Sequence, residues 1–174
     1  MSGERRIASD TGPLITLEKL SNGYRFIRLL YDKILIPRVV LEELVQGQFL
    51  DSRAYIGHYG IADLLQVVDV QGDREILGGE LLDSGELKAI QLALEAGLPL
   101  LIEEEAGRQV ARQMGLQFSG VAGQILHAFR TGLIPAAEAA EMLGELFRAG
   151  RINRKIYEGL LEAVRGTSDP RPPA

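Results

Sequence analysis

Short apolar segments alternate with amphipathic segments along residues 6–118, and this alternation restricts the fold more than any other feature. Segments typical of strands are predicted at 6–9, 33–36, 65–70 and 98–102, with a weaker one at 117–118. Segments with helical periodicity are predicted at 13–19, 25–30, 37–46, 52–59, 85–96 and 106–114. Strands that alternate with helices form βαβ units, and such units build a parallel sheet with both faces covered. The sequence therefore predicts an α/β fold.

Beyond residue 120 the chain is predicted to be helical only. Segments 123–131, 135–149 and 153–165 are predicted to form three helices, with Pro135 in the first turn of the second. Gly132 and Gly150 are predicted to stop the helices that precede them. Residues 166–174 have nothing to bury and are expected to be a disordered tail. We therefore predict a single domain over residues 1–165 with a helical C-terminal portion.

Composition excludes several kinds of site. The 174 residues include no cysteine, which rules out disulfides, thiolate nucleophiles and cysteine-based zinc sites. The two histidines, His58 and His127, are expected to be packing or surface residues rather than ligands. A metal site must therefore rest on carboxylates. No apolar stretch approaches the roughly 18 to 20 residues that span a bilayer, and no signal-peptide pattern opens the chain, so we expect a cytoplasmic protein.

Carboxylates recur where predicted strands end and predicted helices begin. Asp10 follows the first strand, Glu43 lies on the helix after the second strand, and Glu86 lies at the start of helix 85–96. A run of three glutamates at 103–105 follows the fourth strand. Ligands of open α/β sheets bind in the crevice at the carboxyl ends of the strands, so acids placed there are expected to meet. Oxygen ligands suit magnesium or manganese, and the sequence therefore predicts a site for a hard divalent cation.

The net charge of -5 disfavours a protein permanently coated with nucleic acid, which usually has a basic surface. It does not exclude a nuclease. Four or five acids in one pocket would supply this imbalance, and bound cations would reverse the local sign.

Local interpretations compete with the metal-site interpretation for Glu43 and Glu86. Glu43 is nearer the apolar stripe of its helix than Glu42, so its carboxylate either needs a buried partner or reaches solvent at the edge of the stripe. Glu86 follows Asp83 at the spacing of a capping box, which explains it on local grounds. It also precedes Ala89 on the packed face of its helix, so a pocket ligand is an equal alternative.

The run Glu103, Glu104 and Glu105 also has a local interpretation, because acids stabilise the positive end of a helix by about 0.3 to 1 kcal/mol each. Three in a row exceed what capping requires, so at least one is expected to serve a site. Arg108 and Arg112 lie one turn apart on the helix that follows. They could steer a nucleic-acid backbone or form an ordinary solvated helix face.

Five short motifs, in this order and spacing, resemble the PIN-domain family over nearly the whole chain. They are SDTGPLI at 9–15, IP at 36–37 with EEL at 42–44, LDSGE at 82–86 with AI at 89–90, LLIEE at 100–104 with GR at 107–108, and GLIP at 132–135. More narrowly, they are similar to a bacterial and archaeal branch of PIN-like nucleic-acid-binding proteins that is grouped with toxin–antitoxin ribonucleases.

The resemblance implies a Rossmann-like three-layer fold with a central parallel sheet flanked by helices. It implies a magnesium or manganese site and hydrolysis of RNA phosphodiester bonds, as in the toxin of a toxin–antitoxin pair. The family's acidic positions match Asp10, Glu43, Glu86 and Glu104, which would be both catalytic residues and metal ligands. The implied partners are RNA, a second copy of the chain in a homodimer and a small antitoxin protein, with no membrane.

Two departures from the family pattern open an alternative. The acids after the fourth strand are glutamates where relatives have aspartates, and the later Gly-Thr-Leu-Gly element is replaced by GVAG at 120–123. A longer carboxylate side chain changes the geometry of a metal site, and the missing threonine removes a hydroxyl near the phosphate. The alternative is therefore a catalytically weak or inactive PIN-like module that acts through protein or nucleic-acid binding.

Overall fold

A computed structural model describes residues 3–166 and shows a parallel sheet. Within these residues the sheet has five strands: β1 (Arg6–Ser9), β2 (Lys33–Pro37), β3 (Leu65–Val68), β4 (Leu100–Leu101) and β5 (Phe118–Ser119). Their spatial order is β3-β2-β1-β4-β5, and all neighbours are parallel. The chain runs outward from β1 to β3 and then returns to the other side of β1. The order of strands therefore reverses between β1 and β4, where such sheets open a crevice for ligands.

Helices connect the strands and complete the C-terminal portion. They are α1 (Thr11–Lys19), α2 (Gly23–Ile27), α3 (Arg38–Val45), α4 (Ser52–Tyr59), α5 (Ser84–Ala96), α6 (Glu105–Gln113), α7 (Val121–Arg130), α8 (Ala136–Arg148) and α9 (Arg154–Gly166). A short 3-10 helix (Gly79–Leu81) precedes α5. Among the helices of the described residues, none is long and apolar enough to cross a membrane.

Two apolar cores lie on opposite faces of the sheet. Ile7 of β1 packs in the larger core, with α1, α2, α3, α7 and α8, whereas the next residue, Ala8, packs in the smaller core with α5 and α6. The same alternation separates Ile34 and Ile36 of β2 from Leu35. Successive side chains of a strand point to opposite faces, so these strands are covered on both sides. The predicted three-layer α/β fold is confirmed.

Most predicted elements are present with small shifts at their ends. Strand β1 and helix α4 have the predicted bounds, whereas β3 ends two residues early and β4 keeps only Leu100 and Leu101 of the predicted 98–102. Helices α1 and α7 each begin two residues before the predicted start. In both cases a residue with extended backbone, Asp10 or Gly120, directly precedes the first helical residue.

The helical C-terminal portion also follows the prediction, with two corrections. Pro135 is the N-cap of α8 rather than a residue of its first turn. Gly132 and Gly150 have φ of 77° and 71°, the left-handed conformation that favours glycine after a helix. Gly166, assigned to the tail, is the last residue of α9, and the rest of the predicted disordered tail lies outside the described residues.

The ends of β1 and β4 are held side by side at the carboxyl edge of the sheet. Ser9 pairs with Leu101, and the backbone N–H of Asp10 donates to the carbonyl of Leu101 at 3.1 Å. Ile102 in turn donates to the carbonyl of Ser119 at 3.0 Å. This register brings the residues that follow β1, β4 and β5 to one edge, where the acids of the sequence are concentrated.

Candidate active site

Asp10 lies at the centre of this edge, as the N-cap of α1, and only 5% of it is exposed. Its side chain makes no capping hydrogen bond to the first turn of the helix. Burial raises the pKa of the Asp10 carboxyl to about 7, and the negative charges of Asp83, Glu86 and Glu43 add to this effect. Burial and the neighbouring negative charges make the ionised form of Asp10 unfavourable. Binding of a proton or a cation at this carboxyl is therefore favoured.

Glu43 lies on α3 and is half-buried beside the starts of two other helices. Its Oε2 accepts a hydrogen bond from the hydroxyl of Thr11, the residue after Asp10. A Cβ at Gly85 of α5 would lie 2.8 Å from Oε1 and 2.9 Å from Oε2 of Glu43, so the backbone of α5 comes directly against the carboxylate. The sequence left open whether Glu43 has a partner or reaches solvent; the structure gives it Thr11 as a partner.

Glu86 satisfies both interpretations that the sequence allowed. Its Oε2 accepts from the N–H of Asp83 at 3.1 Å, and its own N–H donates to Asp83 Oδ1 at 2.8 Å, which completes the predicted capping box. The other oxygen, Oε1, is buried without a hydrogen-bond partner. Burial and the charges of Asp83, Glu104 and Glu43 raise the pKa of Glu86. A buried carboxylate oxygen without a partner is costly, so Oε1 of Glu86 is the strongest candidate for a ligand atom among the described residues.

The three glutamates after β4 have different surroundings. Glu104 is the exposed N-cap of α6, and its charge contributes to the raised pKa of Glu86. Glu105 is exposed in the first turn of α6, where an acid stabilises the helix terminus. Glu103 is half-buried and turned to other partners, namely Thr16, Arg151 and the N-terminus of α7. Glu104 is therefore the member of the run whose negative charge acts on Glu86.

Sequence reasoning missed several residues of this edge. The capping-box spacing predicts only a helix cap at Asp83, yet the charge of Asp83 raises the pKa of both Asp10 and Glu86. Its capping-box spacing to Glu86 could have identified it. Thr11, Thr16 and Arg151 carried no comparable signal, because their partners lie 32 to 135 residues away in the chain.

The basic and histidine side chains singled out in the sequence mostly serve local contacts. Arg108 donates from Nε to the carbonyl of Ile102 at 3.1 Å, and the guanidinium of Arg112 lies over the Phe118 ring, 5.3 Å from its centroid. His58 is an exposed residue whose ring packs against Tyr59, with centroids 4.7 Å apart. His127 is exposed on α7. These positions agree with the packing and surface roles that we expected for the histidines.

The acids fit a hard cation in chemistry but are not gathered around one point. Within residues 3–166, no group of three or more histidine, aspartate or glutamate side chains is arranged to hold a metal ion as it stands. The donors are carboxylate oxygens, which magnesium and manganese prefer, and Oε1 of Glu86 lacks any other partner. Binding of a metal ion would therefore require these carboxylates to rotate toward a shared ion. Their mutual repulsion keeps them apart until a cation neutralises the charge.

The fold and this edge define a Rossmann-like α/β protein with buried and half-buried acids near the point where the strand order reverses. A family model described as a PIN domain matches residues 6–165, so the chain belongs to the PIN-domain family. No curated protein matches the chain at a significant level. PIN domains are generally nucleases and usually use divalent metals, and the fold is accordingly a nuclease fold. The family resemblance of the sequence is confirmed.

Proposed function

We propose that this protein is a metal-dependent endoribonuclease that hydrolyses RNA phosphodiester bonds. The observation that carries the proposal is the unpartnered, buried Oε1 of Glu86 beside Asp10, whose pKa is raised to about 7. Both acids lie at the reversal point of the sheet in a chain that belongs to a family of nucleases. Acids whose pKa values are raised by burial and by neighbouring charges are typical of functional sites.

Asp10, Glu43, Glu86 and Glu104 would hold one or two Mg²⁺ or Mn²⁺ ions. A bound divalent ion would supply a water of lowered pKa and would neutralise charge on the scissile phosphate. Asp10 must lose its proton to bind, and a pKa of about 7 makes that loss possible near neutral pH. Thr11 orients Glu43 by its hydrogen bond, and the capping box orients Glu86 so that Oε1 stays free. Such supporting contacts fix the direction of ligand side chains.

The partners and setting are part of the same proposal. RNA is the proposed substrate, and the toxin of a toxin–antitoxin pair is the proposed biological role, with an antitoxin protein as inhibitor. We further propose a homodimer in the cytoplasm. These proposals rest on the family to which the chain belongs and on its carboxylate chemistry.

A second candidate function is a catalytically weak PIN-like module that acts through protein or nucleic-acid binding. Two observations favour it. The acid run after β4 consists of glutamates, and no group of three acids within the described residues is already arranged around an ion position. Under this candidate the acids would serve structure or weak metal binding only.

Calorimetric titration of Mn²⁺ into the purified protein separates the two candidates. We expect binding to the intact protein and loss of binding in Asp10→Asn and Glu104→Gln. Glu105→Gln is the matched control, because it removes the same charge from the neighbouring exposed position and should retain binding. The same variants should show parallel losses of RNA cleavage. No Mn²⁺ binding to the intact protein, or cleavage unchanged in Asp10→Asn, would overturn the ribonuclease proposal in favour of the binding module.

A further inference from the structure

Arg151 reaches from the turn between α8 and α9 into the edge of the sheet that carries the acids. Its Nε donates to the hydroxyl of Thr16 at 2.8 Å, and its Nη2 donates to the carbonyl of Gly12 at 3.2 Å. The same Nη2 lies 3.5 Å from Oε1 of Glu103. The Arg151 side chain therefore contacts both Gly12, in the first turn of α1, and Glu103. These residues lie about 140 and about 50 positions earlier in the chain.

Glu103 is held from three sides in this arrangement. In addition to Arg151, the fully buried hydroxyl of Thr16 donates to Oε1 at 2.5 Å, and the N–H of Val121 donates to Oε2 at 3.2 Å. Val121 is the first residue of α7, so the carboxylate also lies at the positive end of that helix. The Glu103 side chain is 19% exposed and the Arg151 side chain 30% exposed. Arg151 and Glu103 also share the Thr16 hydroxyl, which accepts from Arg151 and donates to Glu103. A partly buried ion pair with such shared hydrogen bonds holds its side chains in place better than a pair on the surface does.

This arrangement separates two adjacent acids that leave the same strand. Glu104 contributes to the field around Glu86, whereas Glu103 faces α1, α7 and Arg151. Without Arg151, Glu103 would keep the hydrogen bonds from Thr16 and Val121 but would lose its positively charged partner. Its carboxylate would then be held less firmly and could turn more easily toward an ion bound by the neighbouring acids.

We propose that Arg151 is a positioning residue that holds Glu103 on the N-terminus of α7, so that Glu104 and not Glu103 serves the cation at Asp10 and Glu86. The inference rests on the proposed function for the cation, but the contacts of Arg151 do not depend on it. Through Arg151, the turn between α8 and α9 then limits the number of carboxylates that bind the ion.

The first experiment compares Mn²⁺ affinity and RNA cleavage in Arg151→Gln, Arg151→Lys and Arg148→Gln. In Arg151→Gln, Glu103 becomes an additional ligand, so Mn²⁺ should bind about fivefold tighter while kcat falls and KM for RNA stays close to its original value. A purely structural defect would instead weaken Mn²⁺ binding. Arg151→Lys keeps the charge without the forked hydrogen bonds and should recover part of the change. Arg148, whose guanidinium lies against Gly144 of α8, is the control for loss of one positive charge and should leave both quantities unchanged.

The second experiment repeats Arg151→Gln in a Glu103→Gln background. If Arg151 acts through Glu103, the added substitution should then change Mn²⁺ affinity by less than about twofold. Equal changes in both backgrounds would overturn the inference and indicate a long-range charge effect.

Unfolding midpoints of the four metal-free proteins in this cycle give a test that needs no metal. Non-additive effects of the two substitutions support the anchoring of Glu103 by Arg151, and additive effects overturn it. If the intact protein binds no Mn²⁺ but the cycle is non-additive, the proposed function fails while the anchoring of Glu103 stands. The two proposals can therefore fail separately.

Discussion

The hydroxyl of Thr11 donates a hydrogen bond to the carboxylate of Glu43 and so joins the start of α1 to α3 directly beside Asp10. Both residues are half-buried, and they lie 32 residues apart in the chain. The contact fixes the direction of one proposed ligand through the neighbour of another. It makes Thr11 a supporting residue of the site, although a threonine after Asp10 carries no charge and no ligand role of its own.

We expect Thr11→Val to lower Mn²⁺ affinity by about tenfold, since removal of a contact that orients a ligand commonly has an effect of this size. Valine has nearly the shape of threonine, so packing should change little. Calorimetric titration gives the affinity. Thr11→Ser keeps the hydroxyl and should retain most of the binding; unchanged affinity in Thr11→Val would show that the hydrogen bond to Glu43 does not matter for binding.

The raised pKa of Asp10 predicts how stability depends on pH. Asp10 has a pKa of about 7 in the folded protein against an ordinary 3.8, so the folded state binds more protons between these values. The contribution of Asp10 to the free energy of unfolding therefore decreases as the pH rises from about 4 to about 7. Asp10→Asn removes the buried charge while nearly keeping the size and shape of the side chain.

At pH 8 we accordingly expect the metal-free Asp10→Asn protein to be more stable than the original by on the order of 2 kcal/mol. The difference should shrink toward zero near pH 4. Urea unfolding at several pH values measures it. An Asn variant that is less stable at pH 8, or a difference that does not vary with pH, would show that the Asp10 charge is not destabilising.

Gly85 lies where α5 approaches Glu43. A Cβ at this position would meet both carboxylate oxygens at under 3.0 Å, so Gly85→Ala should push the side chain of Glu43 away from the site. Because the displaced atoms belong to the end of a flexible side chain, we expect little loss of stability but about a tenfold loss of Mn²⁺ affinity.

A matched control for Gly85→Ala is Gly57→Ala in α4, where nothing lies within 4 Å of the added methyl group. That substitution should raise the free energy of unfolding by about 0.5 to 1 kcal/mol, because alanine is the better helix former, and should leave Mn²⁺ binding unchanged. Equal Mn²⁺ affinity in the two variants would contradict the close approach of Gly85 to Glu43.

Asp83 combines a capping role with a charge effect, and two substitutions separate them. Asparagine is also a good N-cap, so Asp83→Asn should keep helix α5 while lowering the pKa of Asp10 and of Glu86, since one of the nearby negative charges is lost. Asp83→Ala should in addition cost about 1 kcal/mol of stability through loss of the cap. Carboxyl carbon NMR titration reports the pKa values, and unchanged pKa values in Asp83→Asn would count against the charge effect.

Local patterns in the sequence determined the fold class and several helix ends of this protein. The alternation of apolar and amphipathic segments determined the parallel α/β fold, because each such pattern has one packing solution with both sheet faces covered. The spacing of Asp83 and Glu86 determined a capping box, and Gly132 and Gly150 determined helix ends, because these features involve residues only a few positions apart. The order and spacing of five short motifs indicated the family, which the match over residues 6–165 confirms.

Only the tertiary structure decided what each acid contacts. In sequence Glu103 and Glu104 are equivalent neighbours, but Glu103 meets Thr16, Val121 and Arg151, whereas Glu104 shares the field of Glu86. The structure also left one oxygen of Glu86 buried without a partner and placed Gly85 against Glu43. These relations depend on how β4, α1, α5, α7 and the α8–α9 turn pack together. Hydrogen bonds and charge interactions act over a few ångströms in space, and sequence patterns report only the neighbours that the chain itself supplies.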